Sequence, residues 1–208
     1  DDFIEVTTTH PISGLNQGLA INLVAEEAYV SHRTNGSSIS KHTMDPADFA
    51  VAWTEILATG TYEMRFALEY HPANDLVYFI DSLAATPTLR SITTAGGSDT
   101  LVKSLTAGKV YEYLTKDPDA NVFYFTNSTD NTIEKYDLDT DTHTTAWHTP
   151  TNKPNGLDIQ NGELWYLEET TGFIYEVDLD TPGSKTNKGT TGGSDWAGLI
   201  VIVFDTTV

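Results

Sequence analysis

Phe123-Tyr124-Phe125-Thr126-Asn127, followed by Ser128-Thr129-Asp130-Asn131 and then Thr132-Ile133-Glu134-Lys135-Tyr136, decides the fold. An aromatic-rich run of strand formers meets four polar turn residues and then a second strand-forming run. The same motif returns at Ala28-Tyr29-Val30, at Val77-Tyr78-Phe79-Ile80-Asp81 and at Trp165-Tyr166-Leu167-Glu168. Tyr29 to Tyr78 is 49 positions, Tyr78 to Tyr124 is 46 and Tyr124 to Tyr166 is 42. A period of this size built from strands predicts β-propeller blades, small sheets that bury their faces only against neighbours.

Working outward, the chain divides into four blades at about 18–57, 64–104, 110–148 and 156–190. Each contains four strand-like runs, and Thr34-Asn35-Gly36-Ser37 and Thr170-Thr171-Gly172 mark further hairpin turns. Ala52-Trp53-Thr54 and Ala146-Trp147-His148 lie 24 and 23 positions after their blade tyrosines, where an aromatic packs between sheets. Helix signals are nearly absent; Asp45 to Thr59 reads as a turn leading into a strand. The expectation is one all-β domain over 1–208, with four full blades. A partial fifth blade would be shared by 195–208 and 1–9, in a five-bladed propeller or a fragment of a larger one. The apolar run Leu199-Ile200-Val201-Ile202-Val203-Phe204 would leave an edge open to a second chain.

Composition narrows the partners. With 30 acidic and 11 basic residues the net charge is −19. Phosphate backbones are repelled, which excludes nucleic acid, and anionic membrane surfaces are disfavoured. Cations, cationic partners and neutral glycans remain. The chain has no cysteine, so disulfides, thiolate metal sites and cysteine nucleophiles are excluded. No apolar run approaches the roughly 20 residues that cross a bilayer. It opens on Asp1-Asp2 rather than Met, as a processed chain or a piece of a longer one does. Sequons at Asn35 and Asn127 make both candidate glycosylation sites and favour a secreted, extracellular protein.

The segments Lys153-Pro154-Asn155-Gly156-Leu157-Asp158, Gly162-Glu163-Leu164-Trp165-Tyr166-Leu167 and Phe173-Ile174-Tyr175-Glu176-Val177-Asp178-Leu179-Asp180 carry a likeness. The chain resembles the six-bladed propeller superfamily of YWTD, NHL, strictosidine synthase-like and gluconolactonase-like proteins, most clearly over 123–180. In the gluconolactonase-like enzymes the Asn of Pro-Asn-Gly is a ligand of a central divalent cation. The resemblance puts that role on Asn155 here. Their Glu before the first-blade glycine corresponds to Gln17, and their Asp of Pro-Asp-Gly to Asp195, displaced by two residues.

Other constellations are few. No G-x-S-x-G, HExxH, P-loop or G-x-G-x-x-G motif is present. The six histidines, with His143 and His148 at a blade edge, read as solvent-exposed. Asp137, Asp139 and Asp141 alternate as Ca²⁺ ligands do, and strand alternation would put all three on one face. Asx-turn chemistry explains the same pattern. Loops entering the inner strands would bring Gln17, Glu63, Asn155 and Asp195 to one rim with Trp196 beside them, suited to a cation or a sugar. The leading function is a non-catalytic extracellular binding or assembly module for a protein or glycan. The alternatives are a Ca²⁺-dependent hydrolase of the lactonase type and a structural subunit that self-associates through its terminal strand edge.

Overall fold

In the computed structural model the chain is described at residues 15–33, 37–44, 53–58 and 62–191. These form sixteen strands in four sheets, and no helix occurs among the described residues. The first sheet is β1 (Leu15–Asn22), β2 (Glu27–Arg33), β3 (Ser37–Thr43) and β4 (Trp53–Leu57). The second is β5 (Met64–His71), β6 (Leu76–Asp81), β7 (Thr88–Thr93) and β8 (Thr100–Ser104). The third is β9 (Tyr111–Lys116), β10 (Val122–Asn127), β11 (Thr132–Asp137) and β12 (Thr142–His148). The fourth is β13 (Pro154–Gln160), β14 (Glu163–Glu168), β15 (Phe173–Asp178) and β16 (Thr186–Thr190). Every sheet is an antiparallel meander in chain order. The predicted strands match these to within a few residues. The ends assigned to a partial fifth blade lie outside the described residues.

Two compact units contain the sheets: Asp1–Gly108 holds the first pair and Lys109–Val208 the second. In the first unit, Tyr29, Ile39, Met64, Leu68, Val77, Phe79 and Ile92 form the centre of a core between two sheets. Tyr29 stacks on Tyr70, with ring centroids 5.8 Å apart. The two sheets come close at Gly18, where an added Cβ would stand 2.9 Å from Leu68 Cβ of the second sheet and from Ser31 Oγ of its own. In the second unit Tyr166 packs against His148 of the preceding sheet, 5.4 Å between rings. The four repeat tyrosines, Tyr29, Tyr78, Tyr124 and Tyr166, are all buried on the second strand of their sheet. Strands such as β10 are buried on both faces. They therefore read as continuous apolar and aromatic runs rather than alternating ones.

Two irregularities recur in every sheet. The pairing of first and second strands slips near the start of the inner strand: between Asn16 and Leu19, between Met64 and Leu68, opposite Phe125 to Asn127, and between Asn155 and Leu157. The pairing of third and fourth strands slips between Ile39 and Ser40, Leu89 and Arg90, Ile133 and Lys135, and Ile174 and Tyr175. Such bulges bend a strand and interrupt its ladder, which re-aims side chains inside and blunts an edge outside.

Candidate functional site

The inner bulges define one end of each sheet, and most of the predicted rim residues lie there. Gln17 is in β1 within the first slip, Glu63 immediately precedes β5, and Asn155 is the second residue of β13. Gln17 and Glu63 belong to the first unit and Asn155 to the second. Asp195 and Trp196 lie outside the described residues. The bulge at Asn155 uses Gly156 at φ +66, a left-handed conformation that glycine adopts without penalty. That requirement gives the Pro-Asn-Gly sequence a structural reason independent of any ligand.

Buried polar side chains at the ends of the second strands fasten this end. Asp81 Oδ1 accepts the Glu63 N–H at 2.9 Å and the Leu83 N–H at 3.0 Å. Asn127 Oδ1 accepts the N–H groups of Thr129 and Asp130, both at 3.1 Å. Glu168 accepts from the Thr151 N–H at 3.0 Å, Asn152 Nδ2 at 2.9 Å and Lys185 Nζ at 3.0 Å. Burial alone would raise the Glu168 carboxyl; the Asn152, Lys185 and Thr151 donors outweigh it and hold the group below its usual range. The loop before β13 is held further by Lys153. Its ammonium stands 2.9 Å from Glu112 on β9 and 2.8 Å from Glu169 after β14. Burial pushes Lys153 down, but these two carboxylates more than compensate and keep its affinity for the proton above the ordinary value. Two of the acidic groups that meet the loop before β13 are thus already neutralised by an internal cation.

The other predicted sites fall apart from this end. Asp137 closes β11, and the chain turns after it, so alternation does not carry through to Asp139 and Asp141. Asp137 Oδ1 accepts the N–H groups of Asp139 and Thr140 at 2.9 and 3.1 Å, the geometry of an Asx turn. The Thr140 N–H leads the interactions that lower the Asp137 carboxyl. Asp139 accepts from Asn121 Nδ2, and Asp141 from the Tyr136 hydroxyl, each at 2.9 Å. Among the described residues no three His, Asp or Glu side chains are grouped as metal ligands. Asn35 lies outside the described residues. Asn127 is 1% exposed, and its amide nitrogen donates to Glu134 and Asp130.

Sequence reasoning missed the buried polar networks. Glu134 is 1% exposed and receives Tyr111 Oη of β9 at 3.1 Å, Asn127 Nδ2 of β10 at 2.7 Å and His143 Nε2 of β12 at 2.7 Å. One carboxylate therefore ties together all four strands of its sheet. In the first sheet Ser40 Oγ lies 2.6 Å from His32 Nε2 and 2.8 Å from His42 Nε2. The hydroxyl has one proton, so where it donates to one imidazole it accepts from the other. The reading of the histidines as exposed is corrected here: His32, His42, His71 and His148 are all buried. They sit in strands covered by neighbouring structure, where His32 and His42 meet the Ser40 hydroxyl, His148 meets the Pro182 carbonyl and His71 packs against the Tyr78 ring. The available signal was parity, since Glu134 shares a strand face with Tyr136.

One cleft of about 160 Å³ opens on the first sheet, lined by Glu27, Lys41, His42, Thr43, Trp53 and Thr54. It is smaller than the roughly 300–1,000 Å³ of typical small-molecule pockets. No helix among the described residues is long and apolar enough to cross a membrane.

No family profile matches the sequence, and no curated protein matches it. Solved structures do, and they define the fold as a β-propeller. A chain in the crystal structure of a nidogen/laminin complex has a TM-score of 0.63 at 13% identity, covering 89% of this chain and 84% of that one. Virginiamycin B lyase from Staphylococcus aureus, crystallised as the catalytically inactive H270A form with quinupristin, has a TM-score of 0.66 at 18% identity, covering 88% and 59%. A putative TolB from Agrobacterium tumefaciens has a TM-score of 0.68 at 15% identity, covering 88% and 65%. The chain thus spans 59–65% of the lyase and TolB chains. At these identities the likeness is one of fold.

Proposed function

We propose that this chain is a non-catalytic, extracellular binding module that holds a protein partner at the bulged end of its sheets, with a glycan as the second ligand class. The observation that carries this reading is the repeated fastening of that end. Asp81, Asn127 and Glu168 anchor loops 82–87, 128–131 and 149–153 by direct hydrogen bonds, while the loop sequences differ from sheet to sheet. A rigid scaffold presenting dissimilar loops is the usual architecture of recognition surfaces. The likeness to a chain from a nidogen/laminin complex is in keeping with it.

The Ca²⁺-dependent hydrolase, with Asn155 and Asp195 as ligands, is the second reading. Lys153 weighs against it, because its ammonium already occupies the charge between Glu112 and Glu169. Self-association through the terminal strand edge concerns residues 199–204, which lie outside the described residues.

Thermal melts with Ca²⁺ and with a chelator separate the readings. An ion bound only to the folded state adds about 2.7 kcal/mol at a hundredfold excess over Kd. We expect superimposable melts and no lactone turnover. A Ca²⁺-dependent rise that disappears in Asn155→Ala, together with lactone hydrolysis, would replace the binding reading by the enzymatic one.

A further inference from the structure

Three Asn-Gly pairs occur in the chain, beginning at Asn35, Asn155 and Asn161. Asparagine followed by glycine reacts with itself. The glycine backbone nitrogen attacks the side-chain carbon Cγ and closes a five-membered succinimide. The side-chain nitrogen leaves as ammonia, taking up the proton that the glycine nitrogen gives up. Water then opens the ring at either carbonyl, to aspartate or to isoaspartate. Glycine favours the attack because it has no side chain to hinder it. In a folded protein the reaction also needs the backbone between the two residues to move, so it follows local opening.

Two of the pairs stand in opposite environments; Asn35-Gly36 lies outside the described residues. Asn155 is buried inside β13, where it pairs with Leu167 and the next ladder pair is Leu157 with Tyr166. Moving the backbone there means breaking the β13–β14 ladder. Asn161 and Gly162 form the whole loop beyond the last ladder pair, Gln160 with Glu163. Their φ values are +54 and +77, as a type I′ turn requires. Both residues are exposed, and the Asn161 carboxamide makes no hydrogen bond to a described residue. A Cβ added at Gly162 would meet no atom within 4 Å, so the turn can deform into open space. The Leu179 N–H reaches the Gly162 carbonyl only at 3.3 Å, longer than the usual hydrogen bond.

We propose that Asn161 is a self-modification site, at which the folded protein converts slowly to isoaspartate and aspartate while Asn155 is protected. The two products act differently on the fourth sheet. Aspartate keeps the turn, because Asp-Gly also favours type I′, and it adds a negative charge two positions before Glu163. Isoaspartate routes the main chain through its side-chain carbon. It inserts an extra backbone atom into the loop whose length sets the register of β13 on β14. The reaction is one-way and loosens the sheet with age. It acts at the turn end rather than the bulged end, so it holds or fails whatever the bulged end binds.

The test is peptide mapping by mass spectrometry of the full 208-residue chain, stored in mildly alkaline buffer both folded and in urea. In the folded chain Asn161 should convert at least about tenfold faster than Asn155, because opening a ladder costs free energy that opening an exposed turn does not. In urea the two should convert at similar rates. The fraction carrying isoaspartate at position 161 should melt below fresh protein. Asn161→Asp, which has the charge without the extra atom, should melt between the two. Equal rates at Asn155 and Asn161 in the folded chain would overturn the proposal, as would a folded Asn161 that stays intact while the unfolded chain converts. An isoaspartate fraction that melts no lower than Asn161→Asp would overturn the effect on register.

Discussion

His148 illustrates how a single buried side chain acquires a pH dependence. Its Nδ1 faces the Pro182 carbonyl oxygen, which only accepts, so Nδ1 carries the ring proton and Nε2 accepts from the Tyr166 hydroxyl at 3.2 Å. Burial is the main cause that lowers its affinity for a second proton below the ordinary value of 6.5. The unfolded chain therefore takes up that proton at higher pH than the folded one. Stability from this residue is complete above about 6.5 and declines as pH falls from there towards the folded value. His148→Gln should flatten the fall in urea midpoint between neutral pH and the onset of carboxylate titration. Identical slopes for the two proteins would contradict the assignment. Glu134 is the acidic counterpart: three strands donate to it, and removing its oxygens would leave buried donors at about 1–3 kcal/mol each.

Gly18 sets what the elements tolerate. It sits in the inner bulge of the first sheet, donates its N–H to Ser31 Oγ at 2.8 Å, and lies where a methyl group would meet Leu68 Cβ. Gly18→Ala should lower stability by about 1–3 kcal/mol through overpacking, measured by chemical denaturation. An unchanged midpoint would mean that β1 and β5 can separate without cost. Much at this scale was legible in advance. The spacing of Tyr29, Tyr78, Tyr124 and Tyr166 located the second strands, and Ser128 to Asn131 located a hairpin. What could not be read were the bulges, because a register slip leaves no mark on composition. The buried networks were hidden for a related reason: in strands covered on both faces, parity no longer separates inside from outside. Hence His42 read as a surface residue, whereas Glu134, on the strand face of Tyr136, drew no reading at all. The likeness at Pro154-Asn155-Gly156 placed the opening of an inner strand, and β13 begins at Pro154; the metal role it implied for Asn155 depends on chemistry that backbone shape does not carry.

Across the whole molecule, self-repulsion is the dominant electrostatic fact. A net charge of −19 is spread over 208 residues, against a modest set of ion pairs such as Lys41–Glu27 and Lys188–Glu176. Exposed pairs contribute little, and added salt weakens both them and the repulsion. Because the repulsion is the larger sum, the melting temperature should rise with sodium chloride at neutral pH. A fall would mean that local pairing outweighs net charge.

The inner bulges have a wider consequence. A slip in register at the head of a strand acts as an expansion joint: residues can be added or removed upstream while the side chains downstream keep their facing. The second, third and fourth sheets carry such a joint beside a loop anchored by Asp81, Asn127 or Glu168, so loop length there can drift or be redesigned without disturbing the tyrosines beneath. Grafted recognition loops belong at these three places, and the turns that join first to second strands at the opposite ends, two to five residues long, fix the pairing and are where they should be avoided.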